Sequence, residues 1–353
     1  MREYILKVPL VICFILLILF TVGCSSDSAA DNAQNDSNEE GSGEESGQGE
    51  AITMTAGSIN NPTSVASIVA NEMVDSIAEA TDGNVQIEYY DSEQLGNGEA
   101  QLENLRTGLQ DMAVSDPGWL SALDKDINVL GMPYAFRDID HMEAFLNSPL
   151  FDEIKNGIIE EWGIRILATN WYRAPRVLQT TELVETPEDV EGLAWRVPDI
   201  PIFVEHANQM GATPTPIAYG EVYMAFQQNL VKGHDPTLEE VYPMKFHEVA
   251  PYMLETESTY GNIFILISEE SYQKLSSEQQ DILIEETENA GDLHVELIEE
   301  QLNEHREIMM EEGATFTAGD RDAFREKVIP MVEKMEEDGL WSEGLFEKIQ
   351  EIE

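Results

Sequence analysis

The sequence predicts an α/β fold of two lobes joined by a hinge, on three observations. Residues 51–114 alternate strand and helix as β-α-β-α-β, which favours parallel strands with right-handed crossovers. Two apolar strands, at 164–171 and 262–267, bracket a second α/β stretch, so the chain leaves the first lobe and returns to it. A long amphipathic helix over 276–312 follows the return. Two crossings make a hinge, and closure around a ligand is the usual consequence.

In order, residues 51–56 alternate as a strand. Asn60, Asn61 and Pro62 then form a turn that opens a helix with Val65, Ile68, Val69, Met73, Ile77 and Ala80 on one face. Gly83 ends that helix. Residues 85–90 alternate as the next strand, 98–109 read as a helix and 112–114 as a third strand. The loops after the first and third strands place Asn60 and Asp116 at the crevice. Gly96, Asn97 and Gly98 mark a turn; the third glycine of a dinucleotide fingerprint is missing and no strand feeds directly into them. Residues 164–171 lead through Tyr172 and Arg173 to Arg176 as the passage between lobes. Late in the chain, Ile282, Leu283, Ala290, Leu293, Leu297, Ile298 and Leu302 form the buried stripe of the long helix, and 320–337 supply another.

The ends and the charge set the protein's address. Arg2 and Lys7 precede an apolar run over 8–20, too short for a comfortable membrane span and typical of a signal peptide, here 1–23. Thr21, Val22, Gly23 and Cys24 resemble a bacterial lipobox, with threonine where leucine is usual. Cys24 is then the lipidated residue; an uncleaved anchor helix is the alternative. The other cysteine, Cys13, lies within the signal, so the exported chain can form no internal disulfide. Residues 24–50 carry eight acidic and no basic residues with little that is apolar, as expected of an extended tether. The remaining body has 17 basic and 60 acidic residues, a charge of −43. That excludes nucleic acid and anionic lipid as partners of the folded surface. It fits either a protein exposed to high salt or pH, or a simple acidic bias.

Against that background, the arginines around the second lobe stand out. Thr186, Pro187, Glu188 and Asp189 read as a capped helix start that Gly192 stops. Leu193 to Val197 follow as a short strand ended by Pro198. Arg196 thus sits at a strand end, where an open α/β sheet puts its ligand crevice, and its planar fork matches a carboxylate. On the residues alone, it either holds an anion or pairs with Glu205 or Glu221. An anion approaching so acidic a surface needs a locally positive site, for which Arg173, Arg176 and Arg196 are the available means.

Those residues carry a resemblance. Arg176, the run T-P-E-D-x-x-G-x-x-x-R-V-P ending at Pro198, the stretch 211–216 (GATPTP), and Glu221, Val222, Tyr223 and Ala225 resemble the substrate-binding proteins of tripartite ATP-independent periplasmic (TRAP) transporters. So do Gln94-Leu95-Gly96, Gly108, Asp111, the stretch 132–136 (MPYAF), and Lys245-Phe246. The resemblance implies a periplasmic-binding-protein-like fold: lobe I from 51–172 plus about 259–300, lobe II from 173–258 plus about 301–353, and a ligand cleft between them. The family's principal arginine falls on Arg196, a second on Arg176, a covering aromatic on Tyr219 and an acidic position of some members on Asp116. Tyr219 could instead be core, and Asp116 a helix cap. Where many members carry Asp-Gly-Gln-Glu-Asn-Pro, this chain has Lys232, Gly233, His234, Asp235, Pro236 and Thr237. Either Pro236 removes the asparagine contact or Asp235 replaces it, favouring a ligand with a positive group or several hydroxyls. Trp171 is expected as further apolar cover.

Catalysis lacks support in the sequence. The six histidines show no ligand spacing, there is no nucleophile elbow and no phosphate-binding loop, and carboxylates are too many to single out a pair. No cofactor or metal is expected. The reading is a lipid-anchored receptor that delivers a small organic acid to an ion-gradient-driven permease, with a ligand-binding sensor or a lipid-anchored hydrolase as alternatives.

Overall fold

The computed structural model describes residues 51–353. Its first sheet contains β1 (Ile52–Ser58), β2 (Val85–Tyr90), β3 (Met112–Ser115), β4 (Ile164–Tyr172) and, from far along the chain, β10 (Asn262–Ser268). The strand order is β2-β1-β3-β10-β4. Strands β1, β2 and β3 pair in parallel as the alternating pattern predicts, while β10 runs antiparallel between β3 and β4. Every residue of β10 is buried, which is why Ile263 to Ile267 read as an unbroken apolar run between Asn262 and Ser268.

The second sheet takes β5 (Leu178–Thr180), β6 (Ala194–Val197), β7 (Thr213–Pro216), β8 (Gly233–His234), β9 (Tyr252–Glu255) and β11 (Thr315–Ala318), in the order β11-β9-β5-β8-β6-β7. Proline at 214 and 216 is tolerated because β7 is an edge strand. The segment Thr186–Val190 is a 3-10 turn over Pro187–Val190, held by Asp189 accepting from the Thr186 amide.

Two lobes result, crossed at 173–177 and again at 256–261. The helix Ser277–Glu311, capped by Ser276 and Gln279, makes a third passage. It packs on β4 of the first lobe and ends just before β11 of the second. Its buried stripe is Leu283, Thr287, Ala290, Gly291, His294, Ile298 and Met309; Leu293, Leu297 and Leu302 flank it, only partly covered. The stripe follows small and polar residues because β4 approaches closely there. A Cβ on Gly291 would stand 2.3 Å from Asn170 Oδ1, and the Asn170 amide already donates to Glu288 O and Asp292. Gly291→Ala should therefore lower the thermal midpoint, overpacking at about 1–3 kcal/mol exceeding the helix-propensity gain of about 1 kcal/mol. A raised midpoint would show that the interface yields. Beyond the helix, residues 320–337 form not one helix but two, Arg321–Val328 and Pro330–Glu337, since Pro330 has no N–H to continue the first. The end of the chain returns to the first lobe, where Ser342 donates to Asp126, and Ile349 O faces His141 Nε2 at 2.9 Å.

Candidate functional site

The crossing segment and the C-terminal ends of the second-lobe strands bring three arginines into one neighbourhood. Arg173 leaves β4 and is neutralised at once: its Nε donates to Glu239 at 2.7 Å and an Nη to Glu240 at 2.9 Å. Burial opposes its charge, but Glu239 and Glu240 outweigh it and hold the guanidinium above its ordinary value, with Asp116 adding to them. Asp116 is thus electrostatically in reach from the first lobe. Its carboxylate also accepts from Gly118 N, the capping role open to it from sequence.

Arg176 and Arg196 differ from Arg173. Arg176 Nη1 donates to the Asp235 backbone carbonyl, and its guanidinium lies 4.8 Å over the Phe203 ring. Arg196 spends Nε on Ile217 O at 2.9 Å and stands 5.9 Å from the centroid of Tyr219. Among the described residues, neither forms an ion pair; the expected alternative of Arg196 pairing with Glu205 or Glu221 is not realised, and Glu205 binds Lys334. Both are partly buried. Burial pulls Arg196 below the usual guanidinium value; the charge of Asp235 works against this and that of Arg176 adds to it.

Tyr219, 39% exposed, meets Phe246 edge-on at 5.9 Å, and burial with the nearby Glu240 carboxylate pushes its hydroxyl up. The same Glu240 is held low: burial would raise it, but Arg173 and Arg176 outweigh burial. Beneath, His234 is sealed between Phe226 and Phe246, its Nε2 2.7 Å from Gln179 Oε1. Burial, with Arg196 and Arg176 nearby, lowers it to about 3, so it stays neutral.

Three expectations are corrected or narrowed. Trp171 does not cover a ligand: it is fully buried, donates from Nε1 to Thr287 O at 2.9 Å and lies against His294 of the long helix. β4 is the edge strand that the long helix covers, and its alternation turns this ring into the core beneath that helix. Asp235 does not present its carboxylate to either arginine. The side chain is 7% exposed and turned toward His206, 3.7 Å from Nδ1, with only the backbone carbonyl reached by Arg176. Asn60 stays local, its amide donating to Ser58 Oγ at 2.9 Å. Glu239, Glu240, His234 and His206 were not singled out from sequence, because in a chain this acidic a further Glu pair gives no contrast.

The profile of the bacterial extracellular solute-binding protein family 7 matches residues 56–338. The chain belongs to that family. Family 7 proteins are substrate-binding receptors rather than enzymes and act outside the cytoplasm. The chain is 29% identical to the sialic acid-binding periplasmic protein SiaP of Vibrio cholerae over 286 residues, covering 81% of this chain and 89% of that one. It is 28% identical to the 2,3-diketo-L-gulonate-binding periplasmic protein YiaO of Escherichia coli over 270 residues, 76% and 82% of the two chains. A TRAP periplasmic solute-binding protein of Chromohalobacter salexigens, crystallised with D-glucuronate, superposes with a TM-score of 0.76 at 25% identity, covering 85% of this chain and all of that one. The two lobes seen here are those of this family 7 architecture. Among the described residues no helix is long and apolar enough to cross a membrane, and no cluster could hold a metal ion.

The buried histidines give the family 7 fold of this chain an acid limit. His234 and His294 are depressed to about 3 and about 4, chiefly by burial, from 6.5 in the unfolded chain. The unfolded state therefore binds more protons between those values, so stability falls as pH drops below about 6.5. Asp235 and Glu240, held low in the fold, act in the same direction. The thermal midpoint should decline from pH 6.5 to 4, and His294→Phe, which keeps a ring against Trp171, should flatten the decline. An unchanged slope in that variant would exclude His294 as a source.

Proposed function

We propose that this protein captures sugar acids and related hydroxylated carboxylates outside the cell and delivers them to a TRAP permease. The observation that carries the reading is the pair Arg176 and Arg196: two partly buried guanidiniums without a carboxylate in ion-pair contact among the described residues, in a body with 60 acidic and 17 basic residues. Where carboxylates are in such excess, a cation left without one is kept for an anion from outside. Arg196 grips the carboxylate, Arg176 adds a second donor, and Tyr219 lies over the ligand. Glu240 supplies an acceptor for a hydroxyl group, and its charge disfavours a bare dicarboxylate. The relatives support the class: SiaP and YiaO are named for sialic acid and 2,3-diketo-L-gulonate, and similar structures hold D-glucuronate and 3-deoxy-D-manno-oct-2-ulosonic acid. Long-range repulsion from the acidic surface is screened beyond about 10 Å at ordinary ionic strength.

The test is isothermal titration of the protein with D-glucuronate, D-galacturonate, sialic acid, glucose and succinate. At least one hydroxylated acid should bind and glucose should not. Binding of glucose as tightly as of glucuronate would refute the reading. Lipid on Cys24 then holds the receptor at the membrane, a position outside the described residues. Cys24→Ser should release the protein into the medium, and retention in the membrane fraction would contradict lipid anchoring.

A further inference from the structure

Behind the arginines, at the joint of the lobes, a small cavity is lined by Tyr134, Trp195, His206, Asp235 and Ser258, with Leu178, Thr256 and Phe324 closing it. Tyr134 comes from the first lobe, Ser258 from the return crossing, and Trp195 and Asp235 from the floor of the second lobe. Three of these residues are more than nine-tenths buried, and each carries an atom without a hydrogen-bond partner among the described residues: Asp235 Oδ2, Trp195 Nε1 and Ser258 Oγ. His206 Nδ1, at 3.7 Å from Oδ2, is beyond hydrogen-bonding distance. Leaving a buried carboxylate oxygen and a buried indole N–H unsatisfied is costly, and native proteins rarely do so.

The chemistry of the three atoms selects the occupant. An indole N–H can only donate, and an ionised carboxylate can only accept. A cation would face the N–H dipole, and an anion would face Asp235. A small neutral group that accepts from Trp195, donates to Asp235 and exchanges a hydrogen bond with Ser258 satisfies all three, and water is the smallest such molecule. We infer that this cavity is a site for one internal water, which ties the return crossing at Ser258 to the Asp235 carboxylate and Trp195 of the second lobe. The inference does not depend on the identity of the ligand.

The placement gives the water a positioning role. Arg176 donates to the Asp235 backbone carbonyl, and Tyr134 N donates to Ser258 O at 2.6 Å. The water closes the remaining gap between those two links. Tyr134 adopts a left-handed backbone, φ 61°, unusual for a bulky residue, and its ring lies edge-on to His206. The Tyr134–Ser258 and Arg176–Asp235 hydrogen bonds thus flank the cavity on either side.

A crystal structure of the protein at about 1.2 Å or better tests this. One density peak is expected within hydrogen-bonding distance of Asp235 Oδ2, Trp195 Nε1 and Ser258 Oγ together. In solution, the Trp195 indole proton should show a nuclear Overhauser contact with a long-lived water, and Ser258→Ala should shorten the lifetime of that water. An empty cavity would overturn the inference. So would a direct hydrogen bond from Trp195 to Asp235, a metal ion with short oxygen contacts, or an indole–water contact whose lifetime Ser258→Ala leaves unchanged.

Discussion

Arg196→Ala should abolish useful binding of every carboxylate that the wild-type protein takes up. Truncating one member of a desolvated, hydrogen-bonded charge pair costs about 2–5 kcal/mol, a weakening of roughly 30-fold to several thousand-fold. The guanidinium is well placed for such a role: Nε is anchored on Ile217 O, so the fork cannot swing away and both Nη groups are presented without further ordering. Arg196→Lys should recover only part of the loss, because an ammonium keeps the charge but cannot form two parallel bonds. The fold should survive both changes, since Arg196 makes no ion pair among the described residues. Titration with D-glucuronate and sialic acid, alongside thermal midpoints, decides the matter. Affinity within threefold of wild type in a folded Arg196→Ala protein would remove the guanidinium from the site.

Trp171→Ala should have the opposite signature, a large loss of stability with little change in affinity. The side chain is fully buried and its indole N–H is bonded to the long helix. Large-to-small substitutions of this kind cost about 3–5 kcal/mol. For a chain of this size the thermal midpoint should fall by roughly 6–15 °C. Trp171→Phe should fall less, losing the bond to Thr287 O while retaining most of the packing. If Trp171→Ala kept its midpoint and lost carboxylate affinity instead, the ring would belong to the ligand after all.

The contrast between those two residues shows what the sequence could and could not convey. Strand β6 was legible because Gly192 and Pro198 bracket it, and that bracket put Arg196 at a strand end. The parallel first-lobe strands were legible from period-two and helical patterns. Trp171 is not legible in this way because a strand beside a crossing looks the same whether its ring faces the cleft or the helix carrying Thr287, 116 residues later, that buries it. Asp235 is hard to place for a related reason: it follows β8, its neighbour His206 lies on the helix Pro201–Gln209, and no local pattern records a contact at that separation. Strands β5, β8 and β9 are short and take their definition from neighbours far along the chain, so they left little local signal. The buried stripe of the long helix was only half visible, since Thr287, Gly291 and His294 are not apolar residues.

The position of β10 has a consequence for how the molecule comes into being. It fills the slot between β3 and β4, yet its residues are synthesised after the whole of the second lobe's β5–β9. Until they emerge, β3 and β4 have no strand to join them, and nearly 150 residues must be looped out before the gap closes. Closing so long a loop slows folding. A nascent chain emerging N-terminus first therefore cannot complete its first lobe until β10 has been made.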